Sequence, residues 1–210
     1  MNLENYYYYF KSAVPERICD EIIKHGSQMD SEKAEVDNNN YFPRGGKNIG
    51  LDLKRRNSEI TWTSDRWVYN EIQPYIYEAN KHANWNFSWS YSEPCQITKY
   101  KKDGYYDWHC DSWAKPYAVT SDINNSFHNK IRKLSVTVSL SDPKDYEGGE
   151  LEFDYRNEHP DKKSNIHKCI EILPKGSLVV FPSFVWHRVC PVTSGERNSL
   201  VMWNLGDPWQ

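Results

Sequence analysis

Two histidines and one aspartate are the residues of this sequence best suited to chemistry. His109-Cys110-Asp111 closes a stretch that reads as a β-strand, and His187 follows an apolar run further along the chain. Alternate residues of a strand project from one face, so the side chains of His109 and Asp111 can meet a common ligand. Imidazole and carboxylate groups are common ligands of divalent metals. We therefore predict a metal site at His109, Asp111 and His187.

The same His-x-Asp spacing recurs at His159-Pro160-Asp161, and so short a motif carries a high risk of a chance match. The second copy lies in a polar stretch in which Pro160 argues against a strand, and we interpret it as a surface turn. Taken alone, the first copy also fits a core histidine that is paired with a nearby aspartate. The residues downstream of it favour the metal site.

Arg197 follows His187 by ten residues and enters another predicted strand. Ser199, Val201 and Trp203 share its face of that strand. An arginine buried on such a face is costly unless it meets an anion, and a small dicarboxylic acid would satisfy its two-pronged geometry. Two histidines and a carboxylate fill three positions on one side of an octahedral metal, which leaves room for a chelating 2-oxo acid and O₂.

Two helices and about eight short strands are predicted to position these residues. Pro15 to Lys24 has helical apolar spacing, with Pro15 suited to the first turn and Gly26 to a C-cap. A second helix is expected from about Ser64 to Lys81, where Pro74 should kink or shift it. The predicted strands are Gln96–Lys99, Tyr105–His109, Leu134–Leu140, Glu150–Phe153, Lys168–Ile172, Ser177–Phe181, Trp186–Val189 and Asn198–Trp203.

This order of elements indicates a mainly β fold with N-terminal helices: a two-sheet sandwich or jelly roll with helices packed on one sheet. The strand from Leu134 to Leu140 alternates apolar residues with Ser135, Thr137 and Ser139. Its polar face can meet either solvent or a wet central cavity, and the alternation does not choose between them.

Composition narrows the class of protein. The 210 residues carry 26 basic and 29 acidic groups, mixed along the chain, so there is no basic footprint for nucleic acid or membrane surfaces. The five cysteines form no C-x-x-C pair, the N-terminus does not resemble a signal peptide, and no apolar run is long enough to span a membrane. We expect one soluble cytoplasmic domain over residues 1–210, helical to about residue 86 and jelly-roll from about 87 to 205.

The stretch from Gln96 to Asp111 resembles the first half of the signature of Fe(II)/2-oxoglutarate-dependent oxygenases of the prolyl 4-hydroxylase-like group. PKHD-type hydroxylases are the most similar branch. The resemblance runs from about Tyr91 to Trp203 and is weak in the N-terminal third. The further matching motifs are Arg132–Leu140, Tyr146–Leu151, Pro174–Ser177, Phe181–Ser183, Trp186–Val192 and Gly195–Trp203.

The resemblance implies a double-stranded β-helix with Fe(II) at His109, Asp111 and His187. It implies an oxygenase that consumes 2-oxoglutarate and O₂, hydroxylates a C–H bond and releases succinate and CO₂, with ascorbate as a reductant. The cosubstrate would be bound by Arg197 at its distal carboxylate and by Tyr100. It also implies that Ser135, Thr137 and Ser139 face the cavity; the cofactor-binding set is Arg197, Tyr100, Ser139, Thr137 and Trp203.

The resemblance further implies a peptidyl proline as substrate. The polar segment from Asp37 to Asn57 is a candidate for gripping a chain, and the substrate-binding candidates are Arg55, Arg56, Trp113 and Tyr106. A free amino acid or another small molecule is the second candidate substrate, and a nucleobase is disfavoured because no basic groove is apparent. A jelly-roll binding module that holds a metal without redox chemistry is the alternative from another class.

Overall fold

The structure is a computed structural model that describes residues 3–34, 36–37, 49–50, 54–112, 115–117, 127–156 and 165–209. Its helices are α1 (Glu16–Ser27) and α2 (Arg66–His82), with a 3₁₀ helix at Ile170–Ile172. The strands are β1 (Tyr8–Phe10), β2 (Glu32–Lys33), β3 (Val36–Asp37), β4 (Ile49–Gly50), β5 (Arg56–Asn57), β6 (Glu59–Thr63), β7 (Tyr91–Ser92), β8 (Cys95–Tyr100), β9 (Tyr105–His109), β10 (Ile131–Ser139), β11 (Tyr146–Gly148), β12 (Leu151–Asp154), β13 (Ile166–Lys168), β14 (Leu178–Pro182), β15 (Trp186–Val189), β16 (Val192–Gly195) and β17 (Arg197–Gly206).

Two antiparallel sheets form the frame of the molecule. The main sheet has the order β1-β14-β10-β17-β8-β6-β2, with β7 also paired to β17, and the smaller sheet has the order β13-β12-β15-β9-β5. Two further pairs, β11 with β16 and β3 with β4, lie outside these sheets. The fold is mainly β, as predicted, and the sheets belong to a jelly roll.

Both helices pack on the outer face of the main sheet. Ile18 and Ile22 of α1, and Val68, Ile72 and Ile76 of α2, recur at intervals of four residues and are fully or almost fully buried. They share one apolar cluster with Leu134, Val136 and Val138 of β10. Because residues four apart lie on one side of a helix, each helix presents a continuous apolar stripe to the sheet.

Gly26 does not cap α1, which corrects the sequence prediction. It is a buried residue inside the helix, and a Cβ there would lie 3.0 Å from Cδ1 of Ile97. The helix ends with Gln28 as its C-cap. Glycine is therefore needed for the close approach of α1 to β8 rather than for a turn.

The N-terminal third is less helical than predicted. Strands β1 and β6 lie in this part of the chain, and they extend the main sheet by pairing with β14 and β8. The strand predicted at Lys168–Ile172 was wrong, because β13 ends at Lys168 and the 3₁₀ helix follows. Pro74 lies inside α2, which continues through it. Within the described residues no helix is long and apolar enough to cross a membrane.

Candidate active site

His109, Asp111 and His187 meet between the two sheets. His109 is the last residue of β9, His187 lies on the adjacent strand β15, and the two residues are direct cross-strand partners. Nε2 of His109 lies 3.8 Å from Oδ1 of Asp111, and Nε2 of His187 lies 3.6 Å from Oδ2. Within the described residues this is the group whose donor atoms, all within 4.8 Å of one another, could hold a metal ion.

Backbone carbonyls orient both imidazoles. Nδ1 of His109 lies 2.7 Å from the carbonyl oxygen of Asp107, and Nδ1 of His187 lies 3.0 Å from that of Val185. A carbonyl oxygen can only accept a hydrogen bond, so each Nδ1 carries the proton. The lone pair of each ring is then on Nε2, which faces Asp111, as metal ligation requires.

Asp111 is held in place through its own backbone. Its N–H and that of Ser112 both donate to the carbonyl oxygen of Ser183, at 2.8 and 2.9 Å. Burial by itself would raise the pKa of the Asp111 carboxyl, but the two imidazoles and the guanidinium of Arg132 outweigh it and lower the pKa. The carboxylate is therefore ionised and available to a cation.

Burial lowers the pKa of His109 well below its ordinary value, and the neighbouring imidazole of His187 lowers it further. The ring is consequently neutral, which is the state in which histidine ligates metals.

The three residues line a cavity of about 440 Å³ between the sheets. The size suits a small molecule together with part of a second one. Among the residues predicted to bind cofactor or substrate, the lining includes Tyr100, Thr137, Arg197, Trp203, Arg56 and Tyr106.

The polar face of β10 is turned away from solvent. Ser135, Thr137 and Ser139 are all buried, as the resemblance implied, but they have different surroundings. Thr137 lines the cavity, whereas the hydroxyl of Ser135 lies 2.9 Å from that of Ser183. Ser139 is absent from the cavity lining, where its cross-strand partner Ser199 is found. The role of Ser139 in cofactor binding therefore stays a prediction.

Arg197 is a buried charge at one end of the cavity. Its side chain is 3% exposed, and its guanidinium lies 3.5 Å from the Ser199 hydroxyl and 5.4 Å from the centre of the Tyr100 ring. No carboxylate among the described residues lies within ion-pair distance of it. A Cβ on Gly149 would come within 2.9 Å of Cδ of Arg197, so that glycine, with a φ of +65°, leaves room for the side chain.

Trp203 lines the same cavity at a different place from Arg197. The two residues are six apart on β17, and a rise of about 3.3 Å per residue separates them by about 20 Å. A five-carbon diacid is far shorter than this backbone separation, and the assignment of Trp203 to the cofactor-binding set stays a prediction. The buried indole N–H of Trp203 has no hydrogen-bond partner in the part of the chain that the structure describes.

Of the residues predicted to bind substrate, Arg56 and Tyr106 reach the cavity. The Tyr106 ring stacks on the His109 imidazole with centres 3.5 Å apart, and the Arg56 guanidinium lies 4.6 Å from the centre of the Tyr106 ring. Arg55 is not part of the cavity lining. Trp113, the second His-x-Asp motif and most of the segment from Asp37 to Asn57 lie outside the described residues.

Arg132 and Glu93 form part of the site that sequence reasoning missed. Nε and Nη2 of Arg132 donate to the two carboxylate oxygens of Glu93 at 2.7 and 2.6 Å, and the hydroxyl of Tyr117 also donates to Glu93. The guanidinium stacks 4.0 Å from the centre of the Trp203 ring. The pair thus forms a rigid polar wall beside Asp111. Arg132 belongs to the motif Arg132–Leu140 of the family resemblance, but nothing in the sequence linked it to Glu93.

The comparisons with known proteins agree with this geometry. A sequence model of the 2OG-Fe(II) oxygenase superfamily matches residues 95–204, so this chain belongs to that superfamily. A PKHD-type hydroxylase of Synechococcus sp. (strain CC9311) is 38% identical over 109 residues. That match covers 51% of this chain and 39% of the relative, so the chain spans well under half of the relative's length.

Solved structures share the fold over nearly the whole chain. A viral collagen prolyl hydroxylase from Paramecium Bursaria Chlorella virus-1, solved with 2OG, superposes with a TM-score of 0.62 at 21% identity and covers 97% of both chains. A prolyl hydroxylase from Trichoplax adhaerens, in complex with a peptide fragment of a hypoxia inducible factor, gives a TM-score of 0.60 at 16% identity and covers 96% of this chain and 84% of that one. At these identities the likeness shows the jelly-roll fold.

The superfamily uses Fe(II) and 2-oxoglutarate, and the residues of this cavity fit both. Two imidazoles and an ionised carboxylate, with their donor atoms converging, are the ligand set of non-haem iron. Arg197, a buried guanidinium without a carboxylate among the described residues, suits the free carboxylate of 2-oxoglutarate.

Proposed function

We propose that this chain is an Fe(II)- and 2-oxoglutarate-dependent dioxygenase that hydroxylates a C–H bond of a peptidyl proline. The observation that carries the proposal is the convergence of His109, Asp111 and His187 in the cavity that also contains Arg197, whose guanidinium has no carboxylate partner among the described residues. A binding module that only held a metal would have no use for this buried charge, which costs stability in the absence of an anion.

Each of these residues has a distinct task. His109, Asp111 and His187 would hold the iron, whose chemistry when bound is the activation of O₂, coupled to the oxidation of 2-oxoglutarate to succinate and CO₂. Arg197 would bind the distal carboxylate of 2-oxoglutarate, and Tyr100 and Thr137 line the space beside it. Enclosure between the sheets excludes water from the reacting groups and fixes the orientation of the diacid.

The substrate would enter from the end of the cavity opposite Arg197. Trp203 and Trp62 line that end, and Tyr106 lies beside His109; all three offer flat apolar surfaces with polar edges. Such surfaces suit the ring and backbone of proline-containing chains. The similar solved structures are prolyl hydroxylases by name, and one of them carries a peptide, which supports a peptidyl prolyl residue over other substrates.

The test is turnover of 2-oxoglutarate in the presence of Fe(II), ascorbate and a set of proline-containing peptides. We expect succinate to form and a peptide to gain one oxygen atom, as seen by mass spectrometry. His109→Ala should abolish both, whereas His82→Ala, a change of an exposed histidine on α2, should leave both intact. Succinate formation by His109→Ala at the normal rate would refute the metal assignment.

Free proline and other free amino acids, tested in the same assay, address the alternative small-molecule substrate. Hydroxylation of a free amino acid without that of any peptide would replace the prolyl peptide as substrate but keep the enzyme class. Binding of a metal with no succinate under any condition would favour the jelly-roll binding module.

A further inference from the structure

Arg56 is a second buried arginine that lines the cavity. It lies on β5, at the edge of the smaller sheet, and its cross-strand partner is Tyr106. The side chain is 6% exposed, its Nε donates to the hydroxyl of Ser58 at 2.8 Å, and its guanidinium lies against the Tyr106 ring. The residue lines the cavity, so its guanidinium borders the space in which the substrate would lie.

None of the carboxylates in the described ranges neutralises Arg56. Glu32, on the cavity rim, is exposed and accepts a hydrogen bond from the Trp62 indole, and no ion pair joins it to Arg56. Asp111 belongs to the metal site, and Glu93 is held by Arg132. A guanidinium keeps its charge at any ordinary pH, so burial without an anion is costly.

The charges of the loaded site leave Arg56 unmatched. A divalent cation with Asp111 and Arg197 gives a net charge of plus two, which the two carboxylates of 2-oxoglutarate cancel. Arg132 and Glu93 cancel each other. Two charges of the lining remain: Glu32 is exposed on the rim, whereas Arg56 is buried beside the ring that stacks on His109. The group that would neutralise it has to arrive with the substrate.

We propose that Arg56 is a specificity residue that binds a carboxylate of the substrate, so that the hydroxylated residue lies next to an acidic group. The inference rests on the proposed function and narrows its substrate class. The terminal nitrogens of a guanidinium bind a carboxylate through two parallel hydrogen bonds, and the Tyr106 ring and Ser58 hold the fork in a fixed orientation.

The surface next to Arg56 also favours an acidic ligand. Lys33, Lys99, Lys101 and Lys102 surround a groove beside Asn57 and Ser58. Glu59 pairs with Lys33 and Lys101, and Glu196 pairs with Lys99, which leaves the lysines in excess. A positive rim attracts anionic ligands during the approach to the cavity.

The experiment compares matched probes that differ only in one carboxylate. The probes are N-acetyl-Ala-Pro as the acid and as the amide, N-acetyl-Ala-Pro-Asp-amide against its Asn analogue, and free proline against prolinamide. Their affinity is measured with Mn(II) and 2-oxoglutarate bound, by the change in tryptophan fluorescence that Trp62 and Trp203 in the cavity wall make accessible. Hydroxylation is measured in parallel with Fe(II) by the gain of one oxygen atom.

We expect at least one acid to bind the wild-type protein about tenfold or more tightly than its neutral partner. The pair that shows the preference identifies the source of the carboxylate as a chain terminus, an acidic side chain or a free amino acid. Arg56→Gln should erase the preference, and Arg56→Lys should retain part of it, because it keeps the charge but loses the fork.

Lys102→Gln is the matched control, since it removes the same charge from the exposed rim. It should retain the preference, whereas loss of the preference in this variant would assign it to the rim and overturn the inference. The affinity for 2-oxoglutarate should be unchanged in Arg56→Gln, which also shows that the variant is folded; thermal melting is the second check of folding.

Equal binding and hydroxylation of acids and neutral partners would overturn the role of Arg56 and leave the proposed function intact. A preference that survives in Arg56→Gln would have the same meaning. Failure of every probe to bind, acidic or neutral, would overturn the inference together with the prolyl substrate.

Discussion

The two faces of the main sheet bury different kinds of side chain, with opposite effects on stability. Leu134, Val136 and Val138 of β10 face the helices and are completely buried in an apolar cluster. Thr137 and Arg197 face the cavity, where polar groups are buried without full compensation. Apolar burial stabilises the fold, whereas an uncompensated guanidinium destabilises it until a ligand arrives. One strand thus contributes stability on one side and a binding surface on the other.

Loss of a metal ligand should have the largest effect on function. Asp111→Ala removes the carboxylate that joins the two imidazoles, and we expect succinate formation to fall below detection. Because the residue belongs to the cavity and not to the core, the free energy of unfolding of the metal-free protein should change little. Asp65→Ala, on the exposed start of α2, is the control and should be fully active. Normal turnover by Asp111→Ala would contradict the site.

Leu134→Ala tests the face of the main sheet that packs against the helices. This change opens a cavity in the helix-side cluster and should lower the free energy of unfolding by about 2 to 5 kcal/mol, measured by urea denaturation. Below the unfolding transition, the affinity for 2-oxoglutarate should equal that of the wild type. A large loss of affinity in the folded variant would show that the two faces are coupled.

Arg197→Met tests both effects of the buried guanidinium: its binding of 2-oxoglutarate and its cost to stability. Removal of the guanidinium should weaken 2-oxoglutarate binding by about 2 kcal/mol or more, roughly 30-fold in Kd, as measured by titration calorimetry with Mn(II) bound. The free energy of unfolding of the ligand-free protein should stay the same or rise, since an uncompensated buried charge is removed. A clear loss of stability would mean that Arg197 has an internal counter-ion.

A smaller effect is expected for Gly149→Ala. The left-handed backbone at this position should cost about 1 to 2 kcal/mol of stability. The new methyl group would also press on Cδ of Arg197, so the Kd for 2-oxoglutarate should rise, although less than in Arg197→Met. The control is Ser194→Ala, at an exposed position of β16. Gly206→Ala would be unsuitable, because a Cβ at Gly206 would itself clash with backbone atoms. An unchanged Kd would show that Arg197 adjusts freely.

The local sequence pattern was sufficient to predict strands where apolar and polar residues alternate. The strands Tyr105–His109 and Trp186–Val189 were predicted with their observed bounds, and the alternation of Leu134–Leu140 identified the two faces of β10. The alternation of a strand also placed Arg197 and Trp203 on one face, but it carries no information on how far apart a ligand would find them.

Contacts between distant parts of the chain could not be predicted. Glu93 and Arg132 are 39 residues apart, and a single ion pair leaves no periodic trace in a sequence. The strand Glu59–Thr63 was missed because its identity as a strand depends on pairing with β8, which is a tertiary contact. Ser139 was assigned to the cofactor-binding set through the family resemblance, and it is absent from the residues that line the cavity.

The hydrogen bonds that anchor the three proposed iron ligands affect which inherited changes the site tolerates. The acceptors for the two imidazoles and for the N–H of Asp111 are the main-chain oxygens of Asp107, Val185 and Ser183. Every amino acid carries such an oxygen, whatever its side chain. A missense change at these three supporting positions therefore leaves the anchor itself in place, and the lineage can explore new side chains around the ligands without releasing them.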